Sequence, residues 1–222
     1  MFRPNFVFRL LFLAGALLLL SAAGARADLP GRPLSSDLDA EFARAADLLE
    51  TEKRDEGLAI LAEMRAKAAG PAWSARIALL LAREALGRGD AGLAIREIES
   101  LASAGAIGLE PYRQVLLARA FARAGRLPDS VTAWRAAWES DEPFAFKPEA
   151  GRALADALLR RGAARDAAAV LRKVAETAPR FDPAGIAADR IRAALAAADH
   201  PAALAAARDL LMTGLDPVAA PA

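Results

Sequence analysis

The segment GAARDAAAVLRKVAETAP, residues 162–179, decides the fold of this chain. It places a turn glycine at 162, a small residue at 167, bulky apolar residues at 171 and 174, and a proline at 179. Apolar residues at intervals of three and four are typical of a helix that buries one face. Glycine and proline at the two ends mark where helices stop. The segment therefore predicts one short amphipathic helix between two breaks.

The small residue of this segment recurs along the chain. Equivalent positions are spaced 35, 36, 37 and 36 residues apart. They are Ala59, Ala94, Ser130, Ala167 and Ala203. Self-similarity at this period is typical of helical solenoids. The spacing predicts five similar units, and no alternating strand pattern of useful length competes with this all-α interpretation.

Turn signals divide every unit into two helices. A short turn precedes each small residue, at 53–55, 87–90, 125–128, 161–163 and 199–201. A second break follows each small residue, at 70–71, 108–111, 141–143, 179–183 and 214–217. Each unit is therefore predicted to be a helix, a tight turn, a second helix and a break.

This arrangement resembles the tetratricopeptide repeat (TPR) family, in which a small residue opens the second helix and a bulky residue follows four positions later. The best match is Gly162, Ala167, Leu171, Val174 and Pro179. Gly125, Ser130, Trp134, Ala137 and Pro143 match with one slipped position. The resemblance covers residues 37–215 and implies a right-handed, TPR-like α-solenoid of about five helix-turn-helix units.

The terminal units depart from the family pattern. Glu63 stands where the first unit should carry a bulky residue, and Ala207 stands there in the last unit, which also has no turn glycine. Degenerate terminal units are expected in a solenoid because they cap the stack.

A weaker similarity links the chain to the helical domains of soluble lytic transglycosylases, whose catalytic glutamate lies in a Glu-Ser pair. The chain has such pairs at residues 99–100 and 139–140, but it lacks the family's downstream catalytic stretch. We interpret both pairs as chance. The similarity leaves open a helical domain that binds near peptidoglycan without cutting it.

The amino terminus has the pattern of a secretory signal peptide. Arg3 and Arg9 precede an apolar run from residue 10 to 20, and the sequence Ala-Arg-Ala ends at Ala27. A positive start, an apolar centre and this ending predict a signal peptide at 1–27 with cleavage before Asp28. An uncleaved membrane anchor is the alternative. A linker at 28–36, the repeat domain at 37–215 and a flexible tail at 216–222 complete the predicted organisation, and the predicted location is the periplasm.

Charge and composition exclude several function classes. Without Arg3, Arg9 and Arg26, the 29 basic residues become 26 against 28 acidic ones, so the mature net charge is −2. That balance argues against nucleic-acid binding. The chain has no cysteine, and its one histidine, His200, is predicted to be a solvated turn residue. Neither a zinc site of usual type nor a histidine-based triad fits this composition. We predict no catalytic residue, metal or cofactor.

The resemblance implies that a ligand lies along the first helix of each unit. Transferring the family's ligand-facing positions onto this sequence gives seven predicted ligand-binding residues. They are Arg76, Arg83, Tyr112, Arg119, Arg123, Arg152 and Arg160, with Arg44 and Arg192 in the terminal units and acidic exceptions at Glu41, Glu52, Glu149 and Asp156. Guanidinium groups bind carboxylates as a fork, so the predicted ligand is an acidic peptide or a free carboxyl terminus. The alternative is that arginine is simply the common surface residue of this chain.

The predicted function is a non-catalytic scaffold or adaptor of the bacterial cell envelope, which binds a partner segment in a concave, arginine-rich groove. The second hypothesis is a peptidoglycan-associated factor that assists a cell-wall enzyme, and the third is a hydrolase without a recognisable motif. The loop with Phe144 and Phe146 is either packed between units or an exposed apolar contact site.

Overall fold

The computed structural model describes residues 36–51, 53–67, 70–101 and 109–215. Within these ranges the chain forms ten α-helices and no strand. The helices are α1 Ser36–Leu49, α2 Arg54–Lys67, α3 Pro71–Gly87, α4 Ala91–Glu99, α5 Glu110–Arg123, α6 Leu127–Glu139, α7 Lys147–Arg160, α8 Ala164–Thr177, α9 Pro183–Ala196 and α10 His200–Leu215. The all-α prediction and the predicted helix-turn-helix pairs are confirmed. The predicted signal peptide, the linker up to residue 35 and the tail at 216–222 lie outside the described residues.

No helix in the described part of the chain is both long and apolar enough to cross a lipid bilayer. The chain divides into two compact units, one ending at Leu81 and the other beginning at Ala82, both in α3. In the first unit α1 packs against α2. Its core is built around Phe42, Leu61 and Met64, with Trp73 meeting Phe42 edge to face at 5.7 Å between ring centroids.

In the second unit each helix packs against the one that follows it. Contacts link α4 to α5, and the same pairing continues without a break to α9 and α10. Helix α7 also touches α9, so the first helices of two successive repeats are neighbours. The first helices α3, α5, α7 and α9 carry the predicted ligand positions of the second unit and the end of the first.

One turn geometry joins the paired helices of the second unit four times. In each turn a backbone N–H donates to the carbonyl five residues earlier, at 2.8–2.9 Å. The residue before that N–H has a left-handed backbone, which satisfies the last carbonyls of the helix. These residues are Gly89, Gly125, Gly162 and Ala198, with φ of 84°, 73°, 79° and 57°. The last repeat therefore keeps the same turn with Ala198 in place of glycine, in a backbone conformation that is strained for alanine.

The small repeat residues are buried in the packing between helices. Ala94, Ser130 and Ala167 are completely buried, and Ala203 is buried as well. A polar residue is accepted at 130 because the Ser130 hydroxyl donates to the Ala118 carbonyl at 2.8 Å. A buried hydroxyl with a hydrogen-bond partner costs little. These four positions confirm the predicted repeat frame.

The position predicted for the small residue of the first repeat is wrong by two residues. Ala59 is exposed, and Gly57 is the buried small residue of α2. A Cβ on Gly57 would lie only 2.9 Å from the Ala45 carbonyl oxygen, so the crossing requires glycine. Gly57, Leu61 and Met64 then repeat the spacing of Ala167, Leu171 and Val174. Glu63, the apparent departure from the family, is simply an exposed residue of α2.

Trp138 fills the space beside a glycine of the next helix. A Cβ on Gly151 would lie 2.8 Å from Cε3 of Trp138 and 2.6 Å from Cγ2 of Val174. Real Cβ atoms do not approach other carbon atoms so closely. Gly151 therefore allows α7 to pack against both α6 and α8.

We expect Gly151→Ala to lower the free energy of unfolding by about 1–3 kcal/mol, because the added methyl group overpacks this crossing. Gly92→Ala is the matched control, since a Cβ at that exposed position of α4 meets only ordinary contacts at 3.6 Å. Gly92→Ala should be neutral or stabilising by up to about 1 kcal/mol, because alanine favours helix. Urea unfolding followed by circular dichroism measures both. Equal effects of the two substitutions would contradict the close crossing.

We expect Ala198→Gly to stabilise the protein by about 1 kcal/mol, because glycine adopts a left-handed backbone without the steric cost that alanine incurs. Gly162→Ala is the reciprocal variant and should be destabilising by a similar amount. Thermal unfolding of the two variants should therefore show midpoint shifts of opposite sign. Shifts of the same sign would contradict the shared turn geometry.

Candidate ligand-binding face

Three first helices of the second unit bring five predicted positions within electrostatic range of one another. Tyr112 of α5 lies in the fields of Arg83 on α3 and Arg119 on its own helix. Arg119 lies in turn in the fields of Arg123 and of Glu149 on α7. We call Arg83, Tyr112, Arg119, Arg123 and Glu149 the arginine cluster. Four of the predicted ligand-binding residues and one acidic exception therefore lie near one another, and ligand binding by them stays a prediction.

Burial controls the electrostatics of this cluster. It raises the pKa of the half-buried Tyr112 hydroxyl, because burial penalises the phenolate, while Arg83 and Arg119 act in the opposite direction. It also lowers the pKa of the Arg119 guanidinium, and the nearby Arg123 cation adds to that effect. A guanidinium stays protonated at neutral pH despite such a shift. Arg119 is therefore a partly desolvated cation that faces a second cation.

Glu149 is the acidic member of the cluster, and its own carboxyl group is incompletely hydrogen-bonded. Burial raises the pKa of the Glu149 carboxyl, whereas the Arg119 cation lowers it. Its Oε2 atom is buried and has no hydrogen-bond partner among the described residues. The carboxyl group is thus near Arg119 without forming the two-pronged contact that guanidinium and carboxylate prefer.

The remaining contacts of the cluster involve residues of α3. A guanidinium nitrogen of Arg123 donates to the carbonyl of Leu86 at the end of α3. Nη2 of Arg83 lies 3.5 Å from Oε1 of Glu84, its buried neighbour in sequence. With three arginines against Glu84 and Glu149, the cluster and its immediate neighbour carry a formal excess of one positive charge.

Arg152 and Arg160 belong to a different group of side chains, in which charge is balanced. Nε of Arg152 lies 2.6 Å from Oδ2 of Asp189, and its Nη1 lies 2.6 Å from Oδ2 of Asp182. Nη2 of Arg160 lies 2.6 Å from Oδ2 of Asp156 in the same helix. We call Arg152, Arg160, Arg192, Asp156, Asp182 and Asp189 the ion-pair network.

Arg192 completes the ion-pair network. Its Nη2 lies 3.1 Å from Oδ1 of Asp189 and 3.7 Å from Oδ1 of Asp156. Three arginines thus face three aspartates on α7, on α9 and at the N-cap of α9. The sequence predicts Asp156 as an acidic exception, whereas Asp182 and Asp189 are not among the predicted positions. The sequence carries one signal for Asp182, because an aspartate before Pro183 is typical of a helix N-cap. Its carboxylate caps α9 by accepting from the Gly185 N–H at 3.1 Å.

Arg76 is the predicted position in the first unit. Its Nη1 lies 3.7 Å from Oδ1 of Asp39, and its guanidinium lies 5.0 Å from the centre of the Trp73 ring. Both contacts orient the side chain within its own unit. Elsewhere, Phe144 and Phe146 are half-buried in the loop before α7, and His200 is exposed at the start of α10.

Comparison with known proteins supports the fold. No protein-family model matches the chain, and no curated protein matches it either. Among solved structures, it is similar to a protein of Podosopora anserina described as a kinesin light chain with nearly identical TPR-like repeats. The TM-score is 0.60 at 16% identity, over 81% of this chain and 95% of the other. A point variant of that protein matches with the same score and identity, over 82% and 96%. The chain therefore has the TPR-like, α-solenoid fold that its repeats predict.

We expect Arg152→Gln to destabilise the protein by about 1 kcal/mol, because both of its carboxylate partners would lose a charged donor at a partly exposed site. The loss should shrink as salt is added, since screening weakens exposed ion pairs. Thermal unfolding at low and high ionic strength measures this dependence. Arg96→Gln, at an exposed position of α4, is the control and should change neither value. A midpoint that Arg152→Gln leaves unmoved would contradict the ion-pair network.

Proposed function

We propose that this protein is a non-catalytic interaction scaffold of the bacterial cell envelope, and that its arginine cluster binds an acidic partner segment or a free carboxyl terminus. The TPR-like fold supports protein binding in general. The observation that carries the finer proposal is the placement of Arg83 and Arg119 beside Tyr112 and of Arg123 beside Arg119, next to the incompletely bonded Glu149.

The chemistry of the cluster favours a carboxylate ligand. A guanidinium that is already partly desolvated binds a carboxylate more strongly than one in bulk water, since the interaction is screened less. The Tyr112 ring supplies an apolar surface with a polar tip, a combination common in peptide-binding surfaces. A ligand carboxylate would also relieve the repulsion between Arg119 and Arg123.

The proposal omits three of the predicted ligand-binding residues. Arg152 and Arg160 each lie 2.6 Å from an aspartate of the same chain, and Arg76 lies outside the cluster, 3.7 Å from Asp39. A ligand would have to displace those partners and leave aspartates uncompensated, which cancels much of the gain. Binding by these three residues remains a prediction from the sequence.

The test is a selection of peptides with free carboxyl termini, followed by affinity measurement on the protein and its variants. We expect acidic sequences to be selected, with affinity falling as salt rises. Arg119→Gln combined with Arg123→Gln should weaken binding about tenfold or more, because two charge-assisted contacts are lost. Glu149→Gln should strengthen it, because a carboxylate beside the ligand is neutralised.

The matched control combines Arg96→Gln with Arg180→Gln, two exposed arginines outside the cluster. It removes the same charge and should leave the affinity close to that of the unchanged protein. Peptides without acidic residues, or a control as damaging as the cluster variant, would contradict the proposed site. Capture by isolated cell-wall sacculi in place of any peptide would favour the peptidoglycan-associated alternative.

We propose further that the protein is exported and that residues 1–27 are removed. The proposal rests on the sequence pattern alone, with two arginines, an apolar run and a small-residue ending before Asp28. Mass analysis of the protein recovered from the periplasmic fraction should give Asp28 as the first residue. Recovery only in membranes with Met1 or the apolar run still attached would instead support the anchored alternative.

A further inference from the structure

A groove of about 520 Å³ lies between the second helix of the fourth repeat and the first helix of the fifth, away from the arginine cluster in sequence and on different helices. One wall is α8, and the other is α9 with the turn that leads into α10. We propose that this groove binds an acidic amphipathic helix of a partner protein. The proposal does not rest on the proposed function of the arginine cluster.

The α8 wall presents a straight stripe of four residues. Arg165, Ala168, Ala169 and Arg172 follow the spacing i, i+3, i+4 and i+7, which places them in line along one helix face. The two guanidinium groups are thus two helical turns apart, or about 10 Å along the axis. Two carboxylates separated by seven residues on a partner helix have the same spacing.

The charges on the two walls differ in how they are satisfied. Arg190 on α9 already pairs with Asp209 of α10 at 2.8 Å, and Asp199 caps α10 by accepting from the Ala202 N–H at 3.0 Å. The side chains of Arg165 and Arg172, in contrast, form no ion pair or hydrogen bond with any described residue. The groove therefore carries two cations that its own acidic residues do not neutralise.

The floor of the groove suits close contact with another helix. Ala168 and Ala169 on one side face Ala194 and Ala197 on the other. Methyl side chains let helix axes approach to about 8 Å, the short end of helix packing. The floor binds apolar side chains of the partner, while Arg165 and Arg172 select for acidic residues at its edge. This combination is the helix-in-groove mode of recognition with charge as the specificity element.

The test uses a fluorescein-labelled model peptide that is blocked at both termini. It carries two glutamates seven positions apart, with leucines three and four positions after the first glutamate. Its carboxyl terminus is amidated, so it offers no free carboxylate there. Fluorescence anisotropy with the full-length protein should give saturable binding that weakens as salt rises. The same peptide with both glutamates replaced by glutamine should bind about tenfold more weakly.

Two kinds of variant separate charge from shape. Arg165→Glu with Arg172→Glu should weaken binding about tenfold or more by reversing both charges. Ala169→Phe should abolish binding without any change in charge, because the aromatic ring fills the floor at an exposed position that does not disturb the core. Arg96→Glu with Arg180→Glu is the matched control for charge and should bind as the unchanged protein does. Circular dichroism verifies that each variant is folded.

Variants of the arginine cluster distinguish the two sites. Arg119→Gln with Arg123→Gln should leave binding of the blocked peptide unchanged, whatever it does to peptides with free carboxyl termini. Absence of saturable binding, equal affinity for the glutamine peptide, or insensitivity to Ala169→Phe would overturn the proposal. Binding to phosphatidylglycerol vesicles that the same groove variants abolish, without peptide binding, would assign the groove to a membrane surface instead.

Discussion

The structure depends on close crossings between helices that only small residues permit. Gly57, Ala94, Ser130, Ala167 and Ala203 occupy the same place in their repeats, and a larger side chain there would push the paired helices apart. Because these contacts fix how the paired helices pack, they decide which face of each first helix remains available to a ligand. The arginine cluster is a consequence of that constraint, since it is assembled from residues that the crossings leave on α3, α5 and α7.

The repeat was predictable from the sequence because its constraint is local. A small residue, a bulky residue four positions later and a turn glycine five positions earlier are all read from one segment. The first unit shows the limit of this reasoning. Period alone selected Ala59, but the crossing there requires the absence of any Cβ, so Gly57 takes the position. Two small residues two positions apart are indistinguishable until the partner helix is in place.

The charged residues were less predictable, because their partners lie far away in sequence. Arg152 meets aspartates 30 and 37 residues later, and only the packing of α7 against α9 brings them together. The arginines that the sequence predicts to face a ligand are therefore of two kinds. Those of the ion-pair network stabilise the contact between successive repeats, whereas those of the arginine cluster lie within electrostatic range of one another around Tyr112. The difference is a property of neighbours and not of residue type.

The central claim is that Arg119 binds a carboxylate of a partner. The most direct measurement is a double-mutant cycle that combines Arg119→Gln in the protein with replacement of one acidic residue by its amide in a selected peptide. If the two groups are in contact, the account predicts a coupling free energy of about 1–3 kcal/mol, since each single change already breaks the pair and the second change then costs little. Additive effects at every acidic position of the peptide would contradict it.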